Sequence, residues 1–285
     1  MGQFINNNGV ISDASSAAIL INNRSFRYGD GLFESIRIAN HRPQFLKEHL
    51  KRLLTGMQVL KMQAHPLLHE SFLEAAILEL AQKNNIGAGG RVRLTVYRND
   101  GGFYTPESNE VSYFIEADAL EEDSYLLNAK GYTIDLFSEF KKQLNVLSNI
   151  KSANSILYVL ASINRKQLGL DECLLLNDKH CIIEAISSNI FAVKNGVLYT
   201  PPVGDGCVDG VMRKKIIEIA QANRIAVYEI SIMQNVLLGA DELFLTNAIN
   251  GIRWIVAYKQ KRYFNNTSKR LIDKLNEVIK TEVVK

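Results

Sequence analysis

Residues 149–191, NIKSANSILYVLASINRKQLGLDECLLLNDKHCIIEAISSNIF, decide how the chain is read. They open on Lys151, just ahead of a run in which Ile156, Leu157, Leu160, Ile163 and Leu168 recur at helical spacing. Residues 171–177 (DECLLLN) then form the short apolar run of a buried strand. Glu184 follows, ahead of a Ser-Ser-Asn turn at 187–189 that leads into another strand. The pattern thus puts a lysine and a carboxylate at the edges of elements that pack together. A lysine at such an edge can be desolvated and its pKa lowered, as an amine that forms a Schiff base requires. Spacing alone also fits an ordinary solvated surface lysine.

Beyond Glu184, residues 203–221 (VGDGCVDGVMRKKIIEIAQ) read as a glycine-rich loop feeding a helix. The unpaired N–H groups and dipole at such a helix start suit a phosphate. Strands at 225–232 and 242–246 with a short helix between them continue an alternating α/β pattern. A last helix at 267–283 aligns Leu271, Ile272, Leu275, Val278 and Ile279 on one face.

Upstream, the first 38 residues read as short strands with turns at 6–9 (NNNG) and 28–31 (YGDG), the second leading into LFESIRI. A helix over 45–62 carries Leu46, Leu50, Leu53, Leu54, Met57 and Leu60 on one stripe, with Arg52 at its flank. There Arg52 could simply lay its stem along the apolar surface. A second helix is expected over 66–84, with Pro66 near its start. Alternation in 91–98 (RVRLTVYR) sets Arg91, Arg93, Thr95 and Tyr97 on one strand face. A loop at 99–110, a strand at 111–117 and the charged break at 121–124 follow, and a strand at 132–137 opens the second half. The expected division is a domain over 1–120 and a larger one over 121–285.

The 285-residue length allows a substantial core in one or two domains. A net charge of +3, with scattered basic residues, argues against a nucleic-acid partner. No apolar run approaches a membrane span, and the N-terminus lacks a basic-then-apolar signal pattern. The three cysteines lack CxxC spacing and the five histidines lack a metal-ligand pattern, so no metal is expected. A reducing, cytoplasmic compartment is expected.

Taken in order, 28–34 (YGDGLFE), 49–53 (HLKRL), Lys151, 184–191 (EAISSNIF), 196–202 (GVLYTPP), 210–213 (GVMR) and 245–248 (LTNA) cover nearly the whole chain. Together they resemble the class IV aminotransferase family, the fold type IV enzymes of pyridoxal 5′-phosphate (PLP). The resemblance implies an α+β or α/β architecture, with a small N-terminal α/β domain and a larger C-terminal PLP-binding one. It implies that Lys151 forms the Schiff base and then acts as general base, while Glu184 faces the pyridine nitrogen. Arg52, the backbone amides of Val211 and Met212, and those near Asn247 and Ala248 would hold the phosphate. It further implies a homodimer with shared active sites, in which Arg27 reaches in from the neighbour. Phe33, Ser35, Arg91 and Arg93 would face the substrate.

Departures from the family pattern divide the readings. Branched-chain enzymes carry a tyrosine five residues after the lysine, where this chain has Ile156. Classical D-amino acid enzymes carry an Arg-x-His in the loop after the arginine-bearing strand and a tyrosine at the position of Phe33. Met212 and Ala248 stand where aminotransferases carry threonine, as in several lyases. The first expectation is an aminotransferase exchanging an amino group between an amino acid, D- rather than branched-chain, and a 2-oxo acid. The alternative is a 4-amino-4-deoxychorismate lyase that releases pyruvate and 4-aminobenzoate, with Ser35 as proton donor. A non-catalytic PLP-binding protein is the remote third.

Overall fold

The computed structural model describes residues 3–281. The chain forms two compact units: Met1–Ser124 with Ile150–Asn154, and Tyr125–Asn149 with Ser155–Lys285.

In the first unit, β1 (Phe4–Asn7), β2 (Val10–Asp13), α1 (Arg24–Tyr28), β3 (Gly31–Ala39), β4 (Arg42–Pro43), α2 (Leu46–Val59), α3 (Glu70–Lys83), β5 (Gly90–Arg98) and β6 (Val111–Ala119) follow in order. The strands pair antiparallel in one sheet, β2-β1-β6-β5-β3-β4. Val92, Leu94 and Val96 of β5 are buried against Leu53 and Met57 of α2 and Leu73, Ile77 and Leu80 of α3. The opposite face carries Arg91, Arg93, Thr95 and Tyr97, as alternation requires. Helix α2 keeps its expected stripe, and left-handed backbone at Phe45 and Lys61 brackets it. Helix α3 starts at Glu70 rather than 66, because extended His69 caps it.

The turn at 28–31 has a physical account. Gly29 ends α1 in the left-handed conformation (φ 67°), its N–H donating to Ser25 O. Asp30 Oδ2 accepts from Arg24 Nε and Arg98 Nε, each at 2.9 Å. A Cβ on Gly31 would lie 2.8 Å from Ser25 Oγ and 3.0 Å from Val96 O, a close approach that favours glycine at the start of β3.

The second unit holds β7 (Tyr132–Lys142), α4 (Ile156–Gln167), β8 (Glu172–Asn177), β9 (Ile182–Ala185), β10 (Asn189–Lys194), β11 (Val197–Thr200), α5 (Val211–Ala222), β12 (Val227–Glu229), α6 (Gln234–Gly239), β13 (Glu242–Asn247), β14 (Gly251–Tyr258), β15 (Lys261–Arg262) and α7 (Asn266–Thr281). Its mixed sheet runs β12-β11-β10-β13-β14-β7-β8-β9, with β15 on β14. The strand expected over 225–232 shrinks to Val227–Glu229, its pairing segment with β11. Helix α7 buries Leu271, Ile272, Leu275 and Ile279; residues 282 and 283 of the expected helix lie outside the described residues.

Two differences from expectation matter for function. Ile150–Asn154, with Lys151, belongs to the first unit and not to 121–285, because it pairs with β3: Leu32 bridges Ser152, and Phe33 N–H donates to Lys151 O at 3.0 Å. The expected apolar stripe of α4 is buried only in part: Leu157 and Leu160 pack on the core, while Ile156, Ile163 and Leu168 are exposed.

Glu172, at the start of β8, is buried with one side-chain oxygen accepting from Cys173 N–H. Burial pushes its carboxyl up to about 7. Because the folded value exceeds the ordinary 4.5, its contribution to stability is full below that pH and is lost as pH rises through 7. Glu172→Gln should therefore raise the melting temperature by a few degrees at about pH 8.5 and leave it unchanged near pH 4. Melting curves at the two pH values check this, and an equal shift at both would contradict it.

Candidate active site

The first unit brings together Lys151, Phe33, Glu34, His49, Arg52 and Arg93. Pairing with β3 fixes the backbone of Lys151, and its Nζ lies 4.2 Å from the centre of the Phe33 ring. The Arg93 guanidinium lies 3.9 Å from the same ring, with Nε donating to Thr95 Oγ1. Burial lowers the Arg93 pKa, opposed by Glu116 across the strand pair. Ser35 sits beside Arg93 in the β3–β5 register. Arg91 is exposed between Arg37 and Asp118 in register, and Arg27 is exposed on α1 with Nε on Ile21 O.

Glu34 points to the other side of β3, towards α2, and is fully buried. Arg52 grips it as a fork, Nε to Oε1 at 2.8 Å and a terminal nitrogen to Oε2. His49 Nδ1 donates to Glu34 Oε2 at 2.7 Å, the tautomer an acceptor-only carboxylate demands. These donors hold Glu34 at about 2 despite burial, while burial lowers the His49 pKa. His49 Nε2 is buried without a hydrogen-bond partner. Glu34 thus orients Arg52, a role the sequence did not reveal although YGDGLFE and HLKRL each contain one partner.

In the second unit Glu184 is the centre. Oε1 accepts from Lys142 Nζ at 2.6 Å and from Tyr158 O–H at 2.8 Å, and Oε2 accepts from Val208 N–H at 2.8 Å. Burial and the adjoining carboxylate raise the Tyr158 pKa and keep the phenol protonated. The nearby Cys207 thiol is pushed up to about 12, first by burial and then by Glu184, so it stays a thiol. A carboxylate has about four lone-pair positions, so three donors leave one, on Oε2.

Helix α5 begins at Gly210 without a side-chain cap, and Val211 and Met212 are its first residues. A Cβ on Gly210 would lie 1.9 Å from Asn189 Oδ1, so the close approach needs glycine. Thr246 is paired with Asn189 in the β10–β13 register, and its Oγ1 is buried without a partner. Asn247 Oδ1 accepts from the N–H groups of Ile249 and Asn250, and its Nδ2 donates to Ser188 Oγ at 2.9 Å. Tyr125 O–H fixes the Ala248 carbonyl.

Lys142 and Tyr158 were not singled out in the sequence. Tyr158 lies two residues beyond the Ile156 position, so the helix after Lys151 does carry a tyrosine, directed at Glu184. Exposed Ile156 takes no part in that cluster.

Each unit thus holds groups of the kind a PLP site uses: a lysine in the first, and in the second a buried carboxylate with one acceptor position left and an uncapped helix start. The family model for amino-transferase class IV matches residues 31–258, and the chain belongs to that PLP-dependent family. It is 34% identical to a putative branched-chain-amino-acid aminotransferase of Methanocaldococcus jannaschii over 242 residues, 84% of this chain and 82% of the relative. It is 27% identical to D-alanine aminotransferase of Bacillus licheniformis over 84% of this chain and 83% of that one. Identity to aminodeoxychorismate lyase of Bacillus subtilis is also 27%, over 85% and 82% of the two chains. A crystal structure of the branched-chain aminotransferase of Thermoproteus uzoniensis superposes with TM-score 0.88 at 23% identity, covering 96% of this chain and 93% of that one. The fold is that of the fold type IV PLP enzymes.

The residues present fit that cofactor. The orphaned Thr246 hydroxyl, the uncapped α5 start and the Gly210 approach suit an anion, and the last acceptor position on Glu184 suits a ring N–H.

Proposed function

We propose that the protein is an aminotransferase that moves the amino group of an amino acid to a 2-oxo acid. The observation that carries this reading is the placing of Lys151 and Arg93 over one aromatic ring, Phe33. An amino acid has its amine and carboxylate on one carbon, so a nucleophilic amine and a carboxylate-binding guanidinium must act within a ring's breadth of each other. Sequence similarity to branched-chain and D-alanine aminotransferases supports the same reaction class.

PLP, when bound, supplies an electron-accepting ring that stabilises negative charge at the substrate Cα. Lys151 Nζ would be the amine that holds the cofactor and the base that takes the proton from the substrate Cα. Glu184 holds a proton on the ring nitrogen. Val211 and Met212 amides, the Asn247–Ala248 turn and Arg52 would hold the phosphate. Arg93 binds the substrate carboxylate, with Arg91 and Ser35 beside it on the strand face. The buried free thiols of Cys173, Cys181 and Cys207 suit a reducing cytoplasm.

A second reading, 4-amino-4-deoxychorismate lyase, is favoured by the phosphate cup. Met212 and Ala248 offer no hydroxyl there, and Asn247 ties the turn down with its own side chain. Single-turnover mixing of the holoenzyme with individual D- and L-amino acids separates the two. The transaminase reading expects loss of the visible cofactor absorbance and about one equivalent of 2-oxo acid per subunit, with one enantiomer. No bleaching with any amino acid, together with pyruvate and 4-aminobenzoate from aminodeoxychorismate, would establish the lyase instead.

The assembly we infer is a homodimer to which Arg27 contributes. Ile21 and Phe26 beside Arg27, and Phe103 and Tyr104 in the 99–110 loop, are each more than three-quarters exposed. Arg24 ties these segments together by donating to the Gly101 and Phe103 carbonyls. Contiguous apolar exposure of this kind marks a protein interface. Phe26→Ser with Tyr104→Ser should shift the sedimenting species from dimer to monomer; an unchanged dimer would refute this surface.

A further inference from the structure

Both groups at the charged corner of Glu184 arrive through breaks in strand register. Between Phe137↔Leu175 and Lys142↔Asn177 the β7 strand advances five residues while β8 advances two. Between Leu175↔Glu184 and Leu176↔Ile182 the β9 strand advances two while β8 advances one. Extra residues of this kind re-aim side chains. Here they bring Lys142 Nζ to 2.6 Å from Glu184 Oε1, with the lysine side chain 12% and the carboxylate 4% exposed. A lysine ammonium is costly to bury, so such a pair needs a compensating partner, and Lys142 also lies over the Tyr158 ring.

We propose that Lys142 is a positioning residue that sets how strongly Glu184 holds a proton on the cofactor's ring nitrogen. This inference rests on the cofactor reading above and goes beyond it. An unpaired Glu184 would present a full negative charge to the ring nitrogen and keep it protonated over a wide pH range. The Lys142 ammonium shares that charge, so the ring proton is held less tightly and its loss moves to lower pH. Tyr158 contributes a neutral hydrogen bond to the same oxygen and acts in the same direction with less force. Val208 N–H fixes the other oxygen and so the direction of the remaining lone pair. The groups facing this carboxylate are Lys142 from β7, Tyr158 from α4 and Cys207 from the loop before α5, with Asp209 of that loop and Arg213 of α5 also acting on Cys207.

The test is reconstitution with ring-15N pyridoxal phosphate, following the ring nitrogen by NMR across pH. Lys142→Gln keeps a hydrogen-bond donor and removes the charge. It should raise the pH at which the ring nitrogen loses its proton by roughly one to two units, from a unit charge removed at short range in a partly screened site. Lys142→Arg should restore the wild-type midpoint, and Tyr158→Phe should raise it by less than Lys142→Gln. A merely structural role would move melting temperature and leave the midpoint alone. If Lys142→Gln leaves the midpoint unchanged while Glu184→Gln lowers it, the proposal is overturned and the cofactor reading stands. If Glu184→Gln also leaves it unchanged, the ring nitrogen does not face Glu184 and both fall.

Discussion

A carboxylate cannot be buried without donors, and two buried carboxylates organise the functional side chains of this protein. Glu34 in the first unit and Glu184 in the second are each at most 3% exposed. Glu34 is satisfied by a forked arginine and a neutral histidine, which fixes Arg52 in one orientation. Glu184 is satisfied by a lysine, a tyrosine and a backbone N–H, which fixes the one direction in which it can accept another donor. Meeting the solvation demand of each carboxylate thus pre-orients the groups to which the proposed function gives a role, as a preorganised site requires.

Strand geometry delivers these groups. Alternation on β3 sends Phe33 and Ser35 to the face shared with Arg93, and Glu34 to the face covered by α2. Ile150–Asn154 extends that sheet locally and holds the Lys151 backbone while its side chain lies over Phe33. In the second unit the regular ladder is interrupted where Lys142 and Glu184 meet. That is where a sheet enzyme gains by trading pairing for the aim of a side chain.

Much of this was legible in the sequence, and the exceptions have physical causes. Helices α2, α3 and α7 and strands β3, β5 and β6 follow from periodicity, because each buries one face against a single partner layer. Lys151, Glu184 and the α5 start could be placed from short motifs, since each depends on local backbone geometry. Lys142 and Tyr158 could not, because their convergence depends on register breaks and on which side of α4 is buried. The apolar spacing of α4 indicated a helix correctly but drew its buried face too wide, since Leu157 and Leu160 pack on the core while Ile156 and Ile163 are exposed. Arg52 could be read from its helix stripe as a snorkel and from HLKRL as a phosphate ligand, but its hold by Glu34, eighteen residues away on a neighbouring strand, could not be read. Strand β14, GIRWIVAY, went unremarked; it pairs β13 on one side and β7 on the other.

Two lysines are thus assigned different tasks: Lys151, over the Phe33 ring, is the covalent amine of the proposed function, and Lys142 is the partner of Glu184. Borohydride reduction of the holoenzyme followed by peptide mass mapping distinguishes them directly. The account predicts a single phosphopyridoxyl group on the peptide containing Lys151, and none after reduction of Lys151→Ala. A group on Lys142, or no covalent adduct in the yellow wild-type enzyme, would contradict it.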